Sequence, residues 1–165
     1  MANYKGHIAG AVGVNALFVV GMGLLPGEAF ALTGGLFSSW QFVAFLFFIA
    51  MLFGLWPDID TNSKGQDIFF GAGFLLDIVL IWQGYIELAA YLGLLAMTPI
   101  IGKHRGWTHS KWAMFLVPFP IVLVSYLYRD TVLPAALIIY GAAFGGYFSH
   151  LLLDGRITRY IRFKT

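Results

Sequence analysis

Four histidines and a few acids of this chain fall into short polar clusters at the ends of apolar segments. They are Gly6-His7, Pro57-Asp58-Ile59-Asp60, His104-Arg105-Gly106-Trp107-Thr108-His109-Ser110, and Ser149-His150-Leu151-Leu152-Leu153-Asp154. Imidazole nitrogens and carboxylate oxygens are the ligands of a divalent ion, and a catalytic site of that kind keeps a coordination position open for water. His150 and Asp154 are spaced to share one helix face. Asp58 and Asp60 flank an isoleucine after a proline; read as extended chain, both carboxylates point the same way. His104 and His109 bracket a loop-to-helix junction, where Gly106 permits a tight backbone and Thr108 or Ser110 can cap the next helix. With no cysteine in the chain, thiolate ligands and disulfides are excluded. His and carboxylate ligands point to zinc first, with manganese or magnesium as further candidates, as one ion or two.

The elements that position these groups are apolar and long. Charged residues make up 11% of the 165 residues and mean hydropathy is +0.80, where soluble domains carry about 25% charged residues. The chain therefore reads as an all-α, polytopic transmembrane bundle of about six helices, forming a single integral-membrane domain over residues 1–165. The expected spans are 8–25, 39–56, 68–82, 85–101, 111–128 and 133–153, the third and fourth joined by a tight turn at Gln83-Gly84. The first segment resembles a secretory signal, with Lys5 before an apolar run and Ala29-Phe30-Ala31 after it. Cleavage would discard His7, so this segment is expected to stay as a span.

Counting crossings joins the two observations. If each segment crosses once, His7, Asp58, Asp60, His104, His109, His150 and Asp154 all return to one membrane face. Lys5, Lys64, Lys103, Arg105, Lys111 and the basic residues from Arg156 to Lys164 share that face, and only Arg129 lies opposite. The positive-inside rule then makes the cluster face, and both termini, cytoplasmic. Each cluster alone suits an ordinary interfacial helix end; their joint placement is what points to one metal site.

These motifs, in order from residue 6 to 154, resemble the LexA-regulated, membrane-bound metal-dependent hydrolases, a YdjM-like family. The His104-Arg105-Gly106-x-Thr108-His109-Ser110 element is the most specific part. More distantly they are similar to the zinc-dependent phospholipase C and single-strand nuclease superfamily, whose ligand set is larger. The hairpin 68–101 departs from the shorter, four-span members of the first family. The resemblance implies a metal-dependent hydrolase, and the distant one a phosphoester substrate.

The expected chemistry is hydrolysis of a phospholipid or lipid-linked phosphate. Arg105 would neutralise the phosphate, Asp60 would accept the proton of the attacking water, and Thr108 and Ser110 would support the ligands. Lys64, Lys103 and Lys111 would attract anionic headgroups. Membrane lipids are the expected partners and no nucleic acid is expected. Two alternatives stand beside this reading. In one, the metal only pins helix ends together; Gly6-x-x-x-Gly10 and Gly141-x-x-x-Gly145 would then bring His7 beside His150 by close packing. In the other, Asp77 in mid-segment, with Asn15 or Thr98 as hydrogen-bond partner, serves a transporter or proton relay.

Overall fold

A computed structural model describes residues 3–25, 33, 35–59, 64–97, 107–128 and 133–155. Among them all regular structure is helical. The α-helices are α1 (Tyr4–Gly23), α2 (Trp40–Leu55), α3 (Lys64–Trp82), α4 (Ile86–Met97), α5 (Lys111–Leu116), α6 (Phe119–Tyr128) and α7 (Leu133–Leu153). Short 3₁₀ turns at Leu36–Ser38, Trp56–Asp58 and Trp107–His109 complete them.

Local chemistry accounts for the helix ends. Asn3 caps α1 by accepting from Gly6 N, and Ser39 caps α2 by accepting from Phe42 N. Ser110 caps α5 by accepting from Ala113 N at 3.1 Å, which leaves Thr108 for another task. Between α3 and α4 the chain reverses at Gly84, whose φ of +84° is a left-handed conformation that glycine adopts without strain. The Tyr85 amide closes that turn on Leu80 O at 2.8 Å.

Four helices are long and apolar enough to cross a membrane, Tyr4–Gly23, Trp40–Asp58, Lys64–Trp82 and Pro134–Leu153. Two of the six expected segments, 85–101 and 111–128, correspond to shorter apolar helices, Ile86–Met97 and Lys111–Leu127. The described helix α4 has 12 residues, about 18 Å at 1.5 Å per residue and short of a hydrocarbon core of about 30 Å. The fifth segment is broken at Val117-Pro118, because Pro118 and Pro120 each lack the N–H that a continuous helix would use.

The core is a three-helix cluster of α1, α2 and α7. Ile49, Leu52, Phe53, Trp56, Ala143, Tyr147 and Leu151 are buried where α2 meets α7, and Leu46, Ile138 and Ala142 form a second buried group. Small residues set the spacing. A Cβ placed on Gly146 would lie 2.8 Å from Ala50 C, and one on Gly54 would lie 2.9 Å from Ala11 Cβ. Bare backbone at both positions lets the helices approach as closely as membrane helices do at small-residue interfaces. The α3–α4 hairpin packs mainly on itself, and Phe74, Leu75, Ile81 and Trp82 lie exposed on its outer surface. The best-packed helices thus lie under the polar clusters, and the hairpin meets them at the start of α3, where Gln66 Nε2 donates to Ile59 O at 2.8 Å beside the Trp56–Asp58 turn.

Candidate metal centre

Five of the seven expected ligands meet at one end of the three-helix core. His7 comes from the second turn of α1, and Asp58 from the 3₁₀ turn that ends the α2 segment. His109 comes from the 3₁₀ turn before α5, and His150 and Asp154 from the last turn of α7 and the residue after it. The Asp154 amide still bonds His150 O at 3.0 Å, which keeps the two side chains on one face as their spacing predicts. Asp60 and His104 lie outside the described residues, as do Lys103 and Arg105.

The separations are tight. His109 Nε2 lies 3.3 Å from Asp58 Oδ1 and 3.6 Å from Asp154 Oδ2; His150 Nε2 lies 3.7 Å from Asp58 Oδ1 and 3.6 Å from Asp154 Oδ2. His7 Nε2 lies 3.7 Å from Asp58 Oδ2 and 3.7 Å from Asp154 Oδ1. One ligand atom each from Asp58, His109, His150 and Asp154 fall within 4.8 Å of one another. The His side chains and Asp154 are at most 2% exposed, whereas Asp58 is 25% exposed.

The geometry fits an ion better than it fits hydrogen bonds. His109 Nε2, His150 Nε2 and Asp154 Oδ1 are buried and have no hydrogen-bond partner among the described residues. Leaving such groups unmatched costs about 1–3 kcal/mol each, so their pooling needs a reason. Zinc binds His N and carboxylate O at about 2.0–2.2 Å, and a tetrahedron of that size puts neighbouring ligand atoms about 3.3–3.6 Å apart. The shortest N···O separations cluster around that edge length.

Surrounding groups set the ring orientations. His150 Nδ1 sits 2.8 Å from Gly54 O; a carbonyl only accepts, so Nδ1 carries the proton and the Nε2 lone pair faces the carboxylates. Thr108 Oγ1 lies 3.1 Å from His109 Nδ1 and so holds the second ring in place, though a hydroxyl, which can donate or accept, does not dictate its tautomer. The Tyr147 hydroxyl donates to Thr108 O, tying the His109 turn to α7. Trp56 packs against both Trp107 and Tyr147 with ring centroids 5.6 Å apart, so an aromatic wall backs the same turn.

Two sequence expectations need correction here. Asp58 does not lie in an extended segment: Trp56–Asp58 is a 3₁₀ turn and Ile59 is also helical in its backbone angles, so Asp58 and Ile59 do not alternate across a strand. Pro57, accepted in the first turn of such an element, tightens the helix end where it was expected to release it. The second concerns Asp77. Its buried Oδ1 has no hydrogen-bond partner among the described residues, nor has the side-chain amide of Asn15, so the two are not bonded. The other Asp77 oxygen faces Gly93 on α4; Thr98 lies outside the described residues.

Gly54 and Tyr147 were not singled out by sequence reasoning, because a backbone carbonyl and an aromatic in an apolar run carry no signature of their own. Lys64 and Lys111 begin α3 and α5 and are exposed.

A family model described as YdjM inner membrane protein matches residues 19–162. That span covers most of the chain and includes Asp58, His109, His150 and Asp154. The chain belongs to the YdjM inner membrane protein family. The match and the four membrane-capable helices make it a membrane protein. In this YdjM-family chain, His7 precedes the matched span and reaches the centre through α1 alone. Searches of curated proteins and of solved structures return no match.

Proposed function

We propose that this protein is a metal-dependent hydrolase that works at the cytoplasmic surface of the inner membrane on a phosphoester, such as a phospholipid or a lipid-linked phosphate. One observation carries the proposal: four ligand atoms of Asp58, His109, His150 and Asp154 converge within 4.8 Å at one end of the core. A divalent ion, zinc by the chemistry of the donors, supplies Lewis acidity and water activation when bound there.

The residues divide that work. His109 and His150 present ring nitrogens oriented by Thr108 and Gly54. Asp154, 2% exposed, is a pure ligand, while the more open Asp58 is the carboxylate that solvent and substrate can reach. Asp60, two residues beyond the ligand Asp58, takes the proton of the attacking water at a carboxylate oxygen. Arg105 neutralises phosphate charge, and the exposed Lys64 and Lys111 draw anionic headgroups to the face. The basic residues on the cluster side support a cytoplasmic orientation.

The test pairs metal analysis of the purified protein with a screen of lipid phosphoesters. Asp58→Ala and His109→Ala are expected to abolish hydrolysis and reduce bound zinc. Unchanged hydrolysis in both variants sinks the proposal. The near-complete burial of the histidines and Asp154 favours a second reading, an ion that only joins helix ends. Tightly held zinc with no hydrolysis of any phosphoester would select it. A transport role for Asp77 requires proton flux in liposomes that Asp77→Asn removes.

A further inference from the structure

The His7 and His150 rings are stacked, with centroids 3.8 Å apart and planes 16° from parallel. An imidazole binds an ion through an in-plane lone pair, with the ion about 2 Å beyond the nitrogen and so about 3 Å from the ring centre. Van der Waals contact keeps two stacked rings about 3.5 Å apart. A 16° tilt over that reach brings the planes together by no more than about 1 Å. An ion in the plane of His150 therefore stays about 2.5 Å out of the plane of His7. One ion cannot serve both rings.

The carboxylate oxygens divide along the same line. Asp58 Oδ1 and Asp154 Oδ2 face His109 and His150; Asp58 Oδ2 and Asp154 Oδ1 face His7. Each carboxylate thus turns one oxygen to each side, as a bridging carboxylate does. We propose that the centre holds two divalent ions, bridged by Asp58 and Asp154, with His109 and His150 on one and His7 on the other. The 3.8 Å between the stacked rings matches the about 3.5–4 Å separation of ions in two-metal sites. From the described residues, the His7 position has three protein ligands and the other has four. Paired ions of this kind clamp both oxygens of an in-line phosphoester displacement. This inference rests on the ligand reading proposed above and adds the second ion, its ligands and the class of chemistry.

The test counts ions and asks whether they are coupled. Full-length protein is stripped with a chelator, reloaded with Mn²⁺, desalted, and measured for metal per chain and by electron paramagnetic resonance. Wild type is expected to hold two ions per chain with an exchange-coupled spectrum. His7→Phe, which keeps a ring against His150 without a nitrogen, and His7→Ala are expected to hold one ion with an uncoupled six-line spectrum. One uncoupled ion in wild type overturns the second site and leaves the single-ion reading standing, whereas a coupled pair surviving in a His7 variant overturns His7 as the ligand of the second ion. No retained ion in wild type overturns both. The wild-type spectrum decides the matter even if the variants fail to fold.

Discussion

Gly146→Ala should damage both the fold and the metal centre, through one contact. The added Cβ would stand 2.8 Å from Ala50 C, 2.9 Å from Ala50 Cα and closer still to Ala50 O. All three are backbone atoms and none can swing aside. Overpacking a core costs about 1–3 kcal/mol where side chains can adjust, so about 3 kcal/mol or more is expected here. At roughly 2–4 °C per kcal/mol for a chain of this size, thermal unfolding in detergent should fall by about 6–12 °C. To regain ordinary contact, α2 and α7 must part by roughly 1 Å. Gly54 lies one turn beyond Ala50 and His150 one turn beyond Gly146, so that parting stretches the 2.8 Å His150 Nδ1–Gly54 O bond past useful length. Bound zinc should fall with stability. Two controls isolate the cause. Gly13→Ala meets nothing within 4 Å and should be neutral or stabilising by up to about 1 kcal/mol. Ala50→Gly should not rescue Gly146→Ala, because it removes a methyl group and leaves the clashing backbone. A Gly146→Ala protein with wild-type melting temperature and full metal content would refute the packing argument.

The remaining predictions concern the groups around the candidate centre. Thr108→Val removes the hydroxyl 3.1 Å from His109 Nδ1 and should weaken zinc binding about 10–100-fold in a competition titration, with little change in helix content by circular dichroism. Zinc at a hundred times its dissociation constant should stabilise the protein by about 2.7 kcal/mol against a chelator-treated sample, and Asp154→Asn should lose most of that gain in the same melting assay. Tyr147→Phe keeps the ring against Trp56 but drops the bond to Thr108 O, and should cost about 0.5–1.5 kcal/mol by the same measurement.

What could be read from the sequence was periodic or pooled. Scarcity of charge gave the membrane bundle, and counting crossings put His7, Asp58, His109, His150 and Asp154 on one side before any contact was known. The Gly141-x-x-x-Gly145 pattern likewise marked a real approach of α7 to α1: a Cβ on Gly141 would stand 2.7 Å from the Phe18 ring, and one on Gly145 3.3 Å from Val14. Spacing names a surface but not its partner, however, and the tightest contact of α7 is Gly146 on α2. Hydropathy averaged over a window also carries nothing about a missing N–H, so the break at Val117-Pro118 is invisible to it although Pro118 and Pro120 were in plain view. The 3₁₀ turn at Trp56–Asp58 was hidden because a proline ending a helix and a proline opening a tighter turn read alike.

The division of labour among the helices follows from the solvent. In lipid, burying leucine against leucine gains little over leaving it in acyl chains, so cohesion must come from close packing and polar contacts. The α3–α4 hairpin, with large side chains turned outward and no described ligand, has little of either holding it to the rest. The α1, α2 and α7 cluster has both: glycine contacts along its length and the His and Asp groups at its end. Close packing fixes His7 and His150 to within van der Waals contact of each other, and the α2 backbone at Gly54 orients His150. His109 differs, because it arrives on a short turn outside the cluster, held by Thr108, Tyr147 and the Trp56 wall. The three helices and the turn that follows α2 therefore bring Asp58 and Asp154 together with His7 and His150 as part of folding. His109 joins that platform from a turn outside it, so metal binding is expected to stiffen that turn more than any helix, as hydrogen exchange with and without zinc would show.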